Sequence, residues 1–295
     1  MPKNRVRTGS ALIREVDETK VPFGMLAIWF LGQCSVIVKG ADTVLYIDPY
    51  LSSSPHRTFE PPLKPEQLTN AQVVLITHEH SDHLDSDTIS RLAAVKDDTV
   101  YMAPGCCKEE LLRCRVPSDK FHAARTNEWW TDPGFRVKPI ASAHEELEWD
   151  AELDHRYVGY IVDLNGVTLY HAGDTTVYPG LIEALKAESI DLGLLPINGR
   201  DPFRNARNLV GNMNYREAVE LAVAAEFQIV IPTHYDMFAG NSEKPGYFLD
   251  YLYENYPTQK SHVLARFERY IYVSDSILSS EKTSGSLDFE MMYPM

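Results

Sequence analysis

The stretch Thr77-His78-Glu79-His80-Ser81-Asp82-His83-Leu84-Asp85 places three histidines and an aspartate within six positions. It directly follows the apolar, β-branched run Val73-Val74-Leu75-Ile76, which is typical of a buried strand. The His/Asp cluster is therefore predicted to lie in the loop at the C-terminal end of that strand. Neutral imidazoles and a carboxylate that converge there can hold two divalent cations. A histidine-rich surface loop without metal is the alternative, but it does not explain the hydrophobic strand.

Three further predicted strands, over residues 136–143, 167–171 and 228–232, are each followed within a few residues by a side chain of the kind that binds metal. These residues are His144, Asp174 and His234. A lone histidine such as His144 is more often a packing or surface residue. Because the pattern recurs at four strand ends, however, we expect all four to face one site.

Composition limits the classes of partner. The chain has 295 residues, 44% of them hydrophobic, and a formal net charge of -14. This acidic balance disfavours nucleic-acid binding, which needs phosphate-neutralising cations, but it leaves room for a local basic pocket. No segment predicts a signal peptide or a membrane span, and the four cysteines form no CxxC pair, as in proteins of a reducing compartment. We expect a cytoplasmic protein without a membrane partner, and a homo-oligomer is compatible with its size.

The remaining patterns predict one domain over residues 1–295 that mixes strands and helices. Strands are predicted over residues 25–30, 35–38, 44–47, 100–103, 157–164, 192–197 and 263–273. Helices are predicted after Asp85 or Ser86 and over residues 108–114, 179–187, 215–225 and 247–254. Asn165-Gly166 predicts a hairpin turn, and Asn214 with Glu217 predicts a helix start. Residues 1–20 are expected to be an extended lead-in, and residues 274–295 a tail that is loosely packed or covers a surface.

The chain resembles the metallo-β-lactamase superfamily from about Met25 to His234. The matching residues are His78-Glu79-His80-Ser81-Asp82-His83, His144, Gly173-Asp174, His234 and the buried structural aspartate Asp48. The resemblance implies an α/β (α+β) fold, an αββα four-layer sandwich with the metal site at one edge. It also implies two metal positions, the first held by His78, His80 and His144, the second by Asp82, His83 and His234, with Asp174 as the bridge.

Within the superfamily, the chain is most similar to the L-ascorbate-6-phosphate lactonase branch. The matching stretches are Trp29-Phe30-Leu31-Gly32, Leu169-Tyr170-His171-Ala172-Gly173-Asp174 and Ile231-Pro232-Thr233-His234-Tyr235-Asp236. This similarity implies opening of the lactone ring of a sugar-acid phosphate with a divalent metal, typically manganese. The residue types suit two ions of Mn or Zn, and no cysteine is expected at a ligand position.

Two bound cations would lower the pKa of a bridging water from about 15.7 toward 7 and so supply a hydroxide at neutral pH. Asp82 is expected to ligate metal and to relay a proton. Tyr178 lies four positions after Asp174 and is a candidate proton donor to the leaving oxygen. Packing at the start of the following helix is the alternative role for Tyr178.

Residues 196–208 form a turn-rich loop with a local excess of positive charge. Asn198, Arg200, Arg204 and Arg207 are the candidate substrate-binding residues, because amides and guanidinium groups bind phosphate and carboxylate well. A solvated loop with internal salt bridges explains the same pattern. The other histidines, namely His56, His122, His155 and His262, are expected to be surface or packing residues, and His171 is expected to support its strand.

The sequence thus predicts a metal-dependent hydrolase of a lactone or similar ester, acting on a small anionic, sugar-derived substrate. Two alternatives remain open. The same dinuclear chemistry supports a phosphodiesterase, and the fold could also serve a non-catalytic metal- or ligand-binding protein.

Overall fold

Alternate residues of the first strand belong to two different hydrophobic clusters. The computed structural model describes residues 6–207, 209–275 and 277, and its first strand is β1 (Met25–Gly32). Leu26, Ile28 and Phe30 pack with residues of a second sheet. The residues between them pack with the N-terminal helices. Because successive side chains of a strand point to opposite faces, this sheet is buried on both sides.

Fifteen strands follow β1 in the described part of the chain. They are β2 (Ser35–Gly40), β3 (Thr43–Ile47), β4 (Val73–Leu75), β5 (Val100–Ala103), β6 (Phe121–Ala123), β7 (Trp130–Asp132), β8 (Phe135–Ala141), β9 (Trp149–Asp150), β10 (Asp154–His155), β11 (Val158–Leu164), β12 (Val167–His171), β13 (Leu192–Pro196), β14 (Ile229–Thr233), β15 (Lys260–Ser261) and β16 (Arg269–Val273).

Seven α-helices are described. They are α1 (Ser10–Glu18), α2 (Ser86–Val95), α3 (Lys108–Arg113), α4 (Leu181–Lys186), α5 (Pro202–Asn205), α6 (Tyr215–Ala224) and α7 (Pro245–Asn255). Within the described residues, none of these helices combines the length and apolarity that crossing a membrane requires.

The strands form two seven-stranded sheets and a two-stranded ribbon. The first sheet has the order β16-β1-β2-β3-β4-β5-β6, and the second has the order β15-β14-β13-β12-β11-β8-β7. Helices α1, α2 and α3 pack on the outer face of the first sheet, and α4, α6 and α7 pack on that of the second. The order of layers is therefore αββα, as the resemblance implied.

The C-terminal ends of the parallel strands in both sheets lie at one edge of the sandwich. Strands β3 to β6 are parallel in the first sheet, and β12 to β15 are parallel in the second. Two hydrogen bonds join the sheets there, from Val158 N to Thr77 O (3.1 Å) and from His234 N to Gln33 O (2.8 Å). The loops after β4, β8, β12 and β14 can therefore meet at this edge.

Local sequence signals correctly predicted three features. Asp85 caps α2 by accepting from Thr88 N. The β11–β12 hairpin turns at Asn165-Gly166, where both residues have positive φ. Asn214 and Glu217 form a reciprocal capping box at the start of α6.

The predicted extended lead-in was wrong, because Ser10–Glu18 forms a helix. Leu12 and Val16 are buried and stand one helical turn apart, so α1 is stabilised by packing on the first sheet. The strand predicted over residues 263–273 is shortened to Arg269–Val273, because the chain turns at Phe267, whose φ is 64°. Strands β6, β7, β9, β10 and β15 and helix α5 were not predicted. Most of the tail predicted for residues 274–295 lies outside the described residues.

Candidate metal centre

The four loops bring the predicted ligands into two adjacent groups. The ligand atoms of His78, His80 and His144 all lie within 4.8 Å of one another. The second group contains His83, Asp174 and His234, together with Cys34, and its ligand atoms also lie within 4.8 Å of one another. These groups resemble the two metal positions that the resemblance implied, except that the second contains Cys34 and does not contain Asp82, which lies next to it.

Asp174 lies between the two groups. Its Oδ1 atom is 3.5 Å from His83 Nε2, and its Oδ2 atom is 3.3 Å from His234 Nε2 and 3.8 Å from His144 Nε2. The preceding Gly173 has a φ of 59°, and a Cβ atom there would come within 2.7 Å of the Thr77 side chain. Gly173 therefore permits the close backbone approach that places the Asp174 carboxylate where a bridging ligand is needed.

Asp82 lies on the side of the second group that faces solvent. Its Oδ2 atom is 3.8 Å from His83 Nε2 and 3.9 Å from His234 Nε2. The buried Gln33 donates from Nε2 to the same oxygen at 3.1 Å. The carboxylate is thus held in one orientation and remains partly accessible.

Asp48 orients His83 of the second group from the buried side, in agreement with its predicted role as a buried structural residue. It is fully buried and accepts from Thr77 N at 2.8 Å, from Thr77 Oγ1 at 2.7 Å and from His83 Nδ1 at 2.7 Å. With Asp48 as the acceptor at Nδ1, Nε2 is the ring nitrogen of His83 that faces Asp174. Carboxylates often orient metal-binding histidines in this way.

The donor set fits divalent cations. His83 Nε2 is buried and makes no hydrogen bond within the described residues. Leaving a buried polar atom without a partner costs about 1–3 kcal/mol, so such atoms usually have a partner. Imidazoles and carboxylates in this arrangement would satisfy zinc, manganese or iron.

The three histidines of the first group have lowered pKa values, which favour the neutral form. Burial lowers the pKa of His78, His80 and His144, that of His144 to about 4, so all three are neutral at pH 7. Neutral imidazole is the form that binds metal.

In the second group, neighbouring charges oppose the effect of burial on the pKa values of His83 and Asp174. Burial disfavours the charged form of His83, but Asp174, Asp82 and Asp48 outweigh it and raise its pKa well above the usual value. Burial likewise opposes the Asp174 carboxylate, but His234 and His83 hold its pKa well below the usual value. A cation bound there would replace the proton of His83.

Both groups open into a cavity of about 710 Å³. His80, Asp82, His144, Asp174 and His234 lie in its wall. The other lining residues are Pro55, His56, Ser81, Leu209, Val210, Phe238, Ala239, Gly240 and Asn241. No Lys or Arg is found among the described residues that line this cavity.

The arginines predicted to bind substrate do not line the cavity. Arg200 donates to both Glu217 oxygens, at 2.7 Å each, and to Asn212 O at 3.0 Å. Arg204 donates to backbone carbonyls, among them that of Asn198, and Arg207 is exposed. Glu217 also accepts a hydrogen bond from Asn214 N at the start of α6, so its carboxylate is held where it can form an ion pair with Arg200. The structure therefore favours the alternative of internal salt bridges.

The same loop contributes to the cavity in another way. Leu209 and Val210 form part of its wall. Asn198 is buried and donates to Asn241 Oδ1 at 2.8 Å, and Asn241 lines the cavity. Asn198 therefore positions a lining residue and does not itself reach the cavity.

Tyr178 is also directed elsewhere. Its hydroxyl donates to Ala141 O at 2.6 Å, and burial raises its pKa to about 12. A hydroxyl engaged in this way is a poor proton donor to a substrate, and the ring packs against the hydrophobic core. The structure favours the packing role for Tyr178.

Sequence reasoning missed four residues, namely Gln33, Cys34, His56 and Asn241. His56 was expected to be a surface or packing residue, but it lines the cavity. The sequence predicted no cysteine at a ligand position, but Cys34 lies beside the ligands of the second group, with its Sγ atom 3.8 Å from Asp174 Oδ1. Burial, followed by the charge of Asp174, raises the pKa of this thiol well above its usual value. The only local signal was the break that Gly32-Gln33-Cys34 makes in an apolar run.

Residues 43–235 match the model of the β-lactamase superfamily domain. The chain belongs to this superfamily. A metal-dependent hydrolase of the UPF0173 family from Pyrococcus furiosus is 29% identical over 228 residues, covering 76% of this chain and 91% of the relative. The name of this relative and the ligand set together support a metal-dependent hydrolase.

Solved structures support the fold. Igni18, a metallo hydrolase from Ignicoccus hospitalis, has a TM-score of 0.65 and 19% identity, covering 84% of this chain and 98% of that one. The metallo-β-lactamase fold protein YhfI from Bacillus subtilis has a TM-score of 0.61 and 13% identity, covering 84% and 100%. The metallo-β-lactamase fold predicted from the sequence is confirmed, whereas the lactonase branch stays a prediction.

Proposed function

We propose that this metal-dependent hydrolase opens the ring of small, sugar-derived lactones or cleaves closely related carboxylic esters. The observation that carries the proposal is the pair of adjacent ligand groups in the wall of one cavity of about 710 Å³. Divalent metals bound there would activate water for attack and polarise the carbonyl oxygen. A cavity of this size accommodates a small molecule, because ligand pockets typically measure about 300–1,000 Å³.

The cavity wall favours an ester over a phosphodiester. A phosphodiester carries a permanent negative charge, and proteins usually bind such groups with Arg or Lys. The described wall residues include neither, whereas Leu209, Val210 and Phe238 provide an apolar surface. A lactone ring has no formal charge and can pack against that surface.

Polar residues of the chain would bind and orient such a ring. The Asn241 amide can hydrogen-bond to sugar hydroxyls, and its orientation is fixed by Asn198. Apart from the predicted metal ligands, the polar residues of the described wall are Asn241, Ser81 and His56. Asp82, held by Gln33, is the carboxylate best placed to accept a proton at the cavity wall.

The proposal is tested by assaying metal-loaded protein side by side on a neutral sugar lactone, a phosphorylated sugar lactone and bis(p-nitrophenyl) phosphate. We expect turnover of the neutral lactone, weaker binding of the phosphorylated one and little phosphodiester cleavage. His80→Ala should abolish lactone turnover, while the matched His122→Ala variant outside the cavity should retain it. Phosphodiester hydrolysis with higher kcat/KM than lactone hydrolysis would overturn the proposal.

A further inference from the structure

We propose that Cys34 is a thiolate ligand of the second metal position, which makes that position selective for zinc over manganese. The inference deepens the proposed function and rests on it, because it concerns the same metal centre. Cys34 would be an additional ligand, and it comes from the turn between β1 and β2, not from the four loops that carry the predicted ligands.

The distances around Cys34 match those between ligands of one cation. Its Sγ atom lies 3.8 Å from Asp174 Oδ1, to which the thiol donates a hydrogen bond. The candidate ligand atoms of Cys34, Asp174, His83 and His234 all lie within 4.8 Å of one another. In a tetrahedral zinc site with bonds of about 2.3 Å to sulfur and 2.0 Å to oxygen, the two ligand atoms are about 3.5 Å apart. The observed separation is close to this value.

A second observation points to a ligand at the same place. His83 is fully buried, and its Nε2 atom lies 3.5 Å from the same Asp174 oxygen without a hydrogen-bond partner in the described residues. Three candidate ligand atoms of different chemistry thus lie close together, and His83 Nε2 makes no hydrogen bond within the described residues. A cation shared by the thiolate, the imidazole and the carboxylate would satisfy all three.

The backbone holds Cys34 in this position. The turn between β1 and β2 passes through Gly32, with a φ of 103°, and Gln33, with a φ of 58°. His171 Nε2 contacts Cys34 O at 2.8 Å, and His234 N donates to Gln33 O at 2.8 Å. The turn is therefore tied both to the strand that precedes Asp174 and to the loop of another ligand, so the thiol is preorganised.

A thiolate changes which metal the position prefers. Imidazole and carboxylate ligands suit zinc and manganese alike, whereas a soft thiolate favours zinc and disfavours manganese. The expectation of manganese, which came from the resemblance alone, would then fail at this position. Replacing the sulfur with a hydroxyl should remove the preference.

The experiment uses the full chain loaded with zinc and, separately, with cobalt. X-ray absorption at the zinc edge should show sulfur at about 2.3 Å, and the cobalt protein should show a near-ultraviolet thiolate-to-cobalt charge-transfer band. Cys34→Ser should lose both signals. It should also bind zinc at one of its two positions about 10–100-fold more weakly, because even the loss of a group that only hydrogen-bonds to a metal ligand has an effect of this size. Cys114→Ser, which changes a buried cysteine outside the cluster, should keep both signals.

The outcomes separate this inference from the proposed function. Two bound zinc ions with only nitrogen and oxygen neighbours would overturn the role of Cys34 and leave the hydrolase proposal standing. Failure of the parent protein to bind zinc, cobalt or manganese would overturn both. If Cys34→Ser does not fold, the spectra of the parent protein decide the question.

Discussion

Asp48→Asn should weaken metal binding at the second position without disturbing the backbone. Asp48 has a φ of 46°, a left-handed conformation that Asn tolerates as well as Asp does. The substitution therefore changes charge and hydrogen bonding at nearly constant shape. Its effect should be confined to the partners of the carboxylate, which are Thr77 and His83.

The magnitude follows from the contact to His83. Asp48 Oδ2 accepts from His83 Nδ1 at 2.7 Å, so Nδ1 keeps its proton and Nε2 is the nitrogen that a metal can bind. An Asn amide nitrogen at that point would need Nδ1 as its acceptor, which moves the proton to Nε2. A lost hydrogen bond to a charged group costs about 1.5–3 kcal/mol, which corresponds to a loss of about ten- to 150-fold in affinity.

The assay is a competition titration of the parent and variant with zinc and a chromophoric chelator, together with urea unfolding of both metal-free proteins. We expect one of two binding steps to weaken by at least tenfold, in line with outer-shell substitutions elsewhere. Asp42→Asn, at an exposed position, should leave both steps unchanged. Equal zinc affinity of Asp48→Asn and the parent would show that Asp48 does not control the ligand form of His83.

Three further predictions follow from contacts around the site. Arg200→Ala should lower the free energy of unfolding by about 0.2–1 kcal/mol, as expected for an exposed ion pair, and leave KM for lactones unchanged; a strong rise in KM would restore its role in substrate binding. Tyr178→Phe should cost about 0.5–1.5 kcal/mol of stability through the lost bond to Ala141 and retain kcat; a large drop in kcat would place Tyr178 in the reaction. Chelation should lower the melting temperature measured by calorimetry, because free metal at about 100 times Kd stabilises a protein by about 2.7 kcal/mol; an unchanged melting temperature would argue against a metal that binds the folded state.

The sequence predicted those parts of the fold and site that local patterns specify. The strand before His78 is apolar and short, and the ligands follow it directly, so both their position and their chemistry could be predicted. The same reasoning located Asp174 after β12 and His234 after β14. The capping box of Asn214 and Glu217 is likewise a signal contained within four residues.

Features that depend on distant contacts could not be predicted in this way. Cys34 precedes Asp174 by 140 positions, and only the packing of one sheet against the other brings them together. Helix α1 was overlooked because its apolar stripe is narrow and its partners lie on the first sheet. His56 follows Pro55 in a loop that reaches the cavity wall, and its own sequence does not show which surface that loop covers.

Arg200 shows why local charge alone is weak grounds for predicting a binding site. An excess of arginines in a loop indicates an anion only when no carboxylate of the same protein lies nearer. Here Glu217, 17 positions away, serves at once as the partner of Arg200 and as the cap of α6. Substrate choice is therefore better sought in the residues that line the cavity, such as Leu209, Val210 and Asn241. These lie on loops, where functions diverge on a common scaffold while the metal ligands stay at the strand ends.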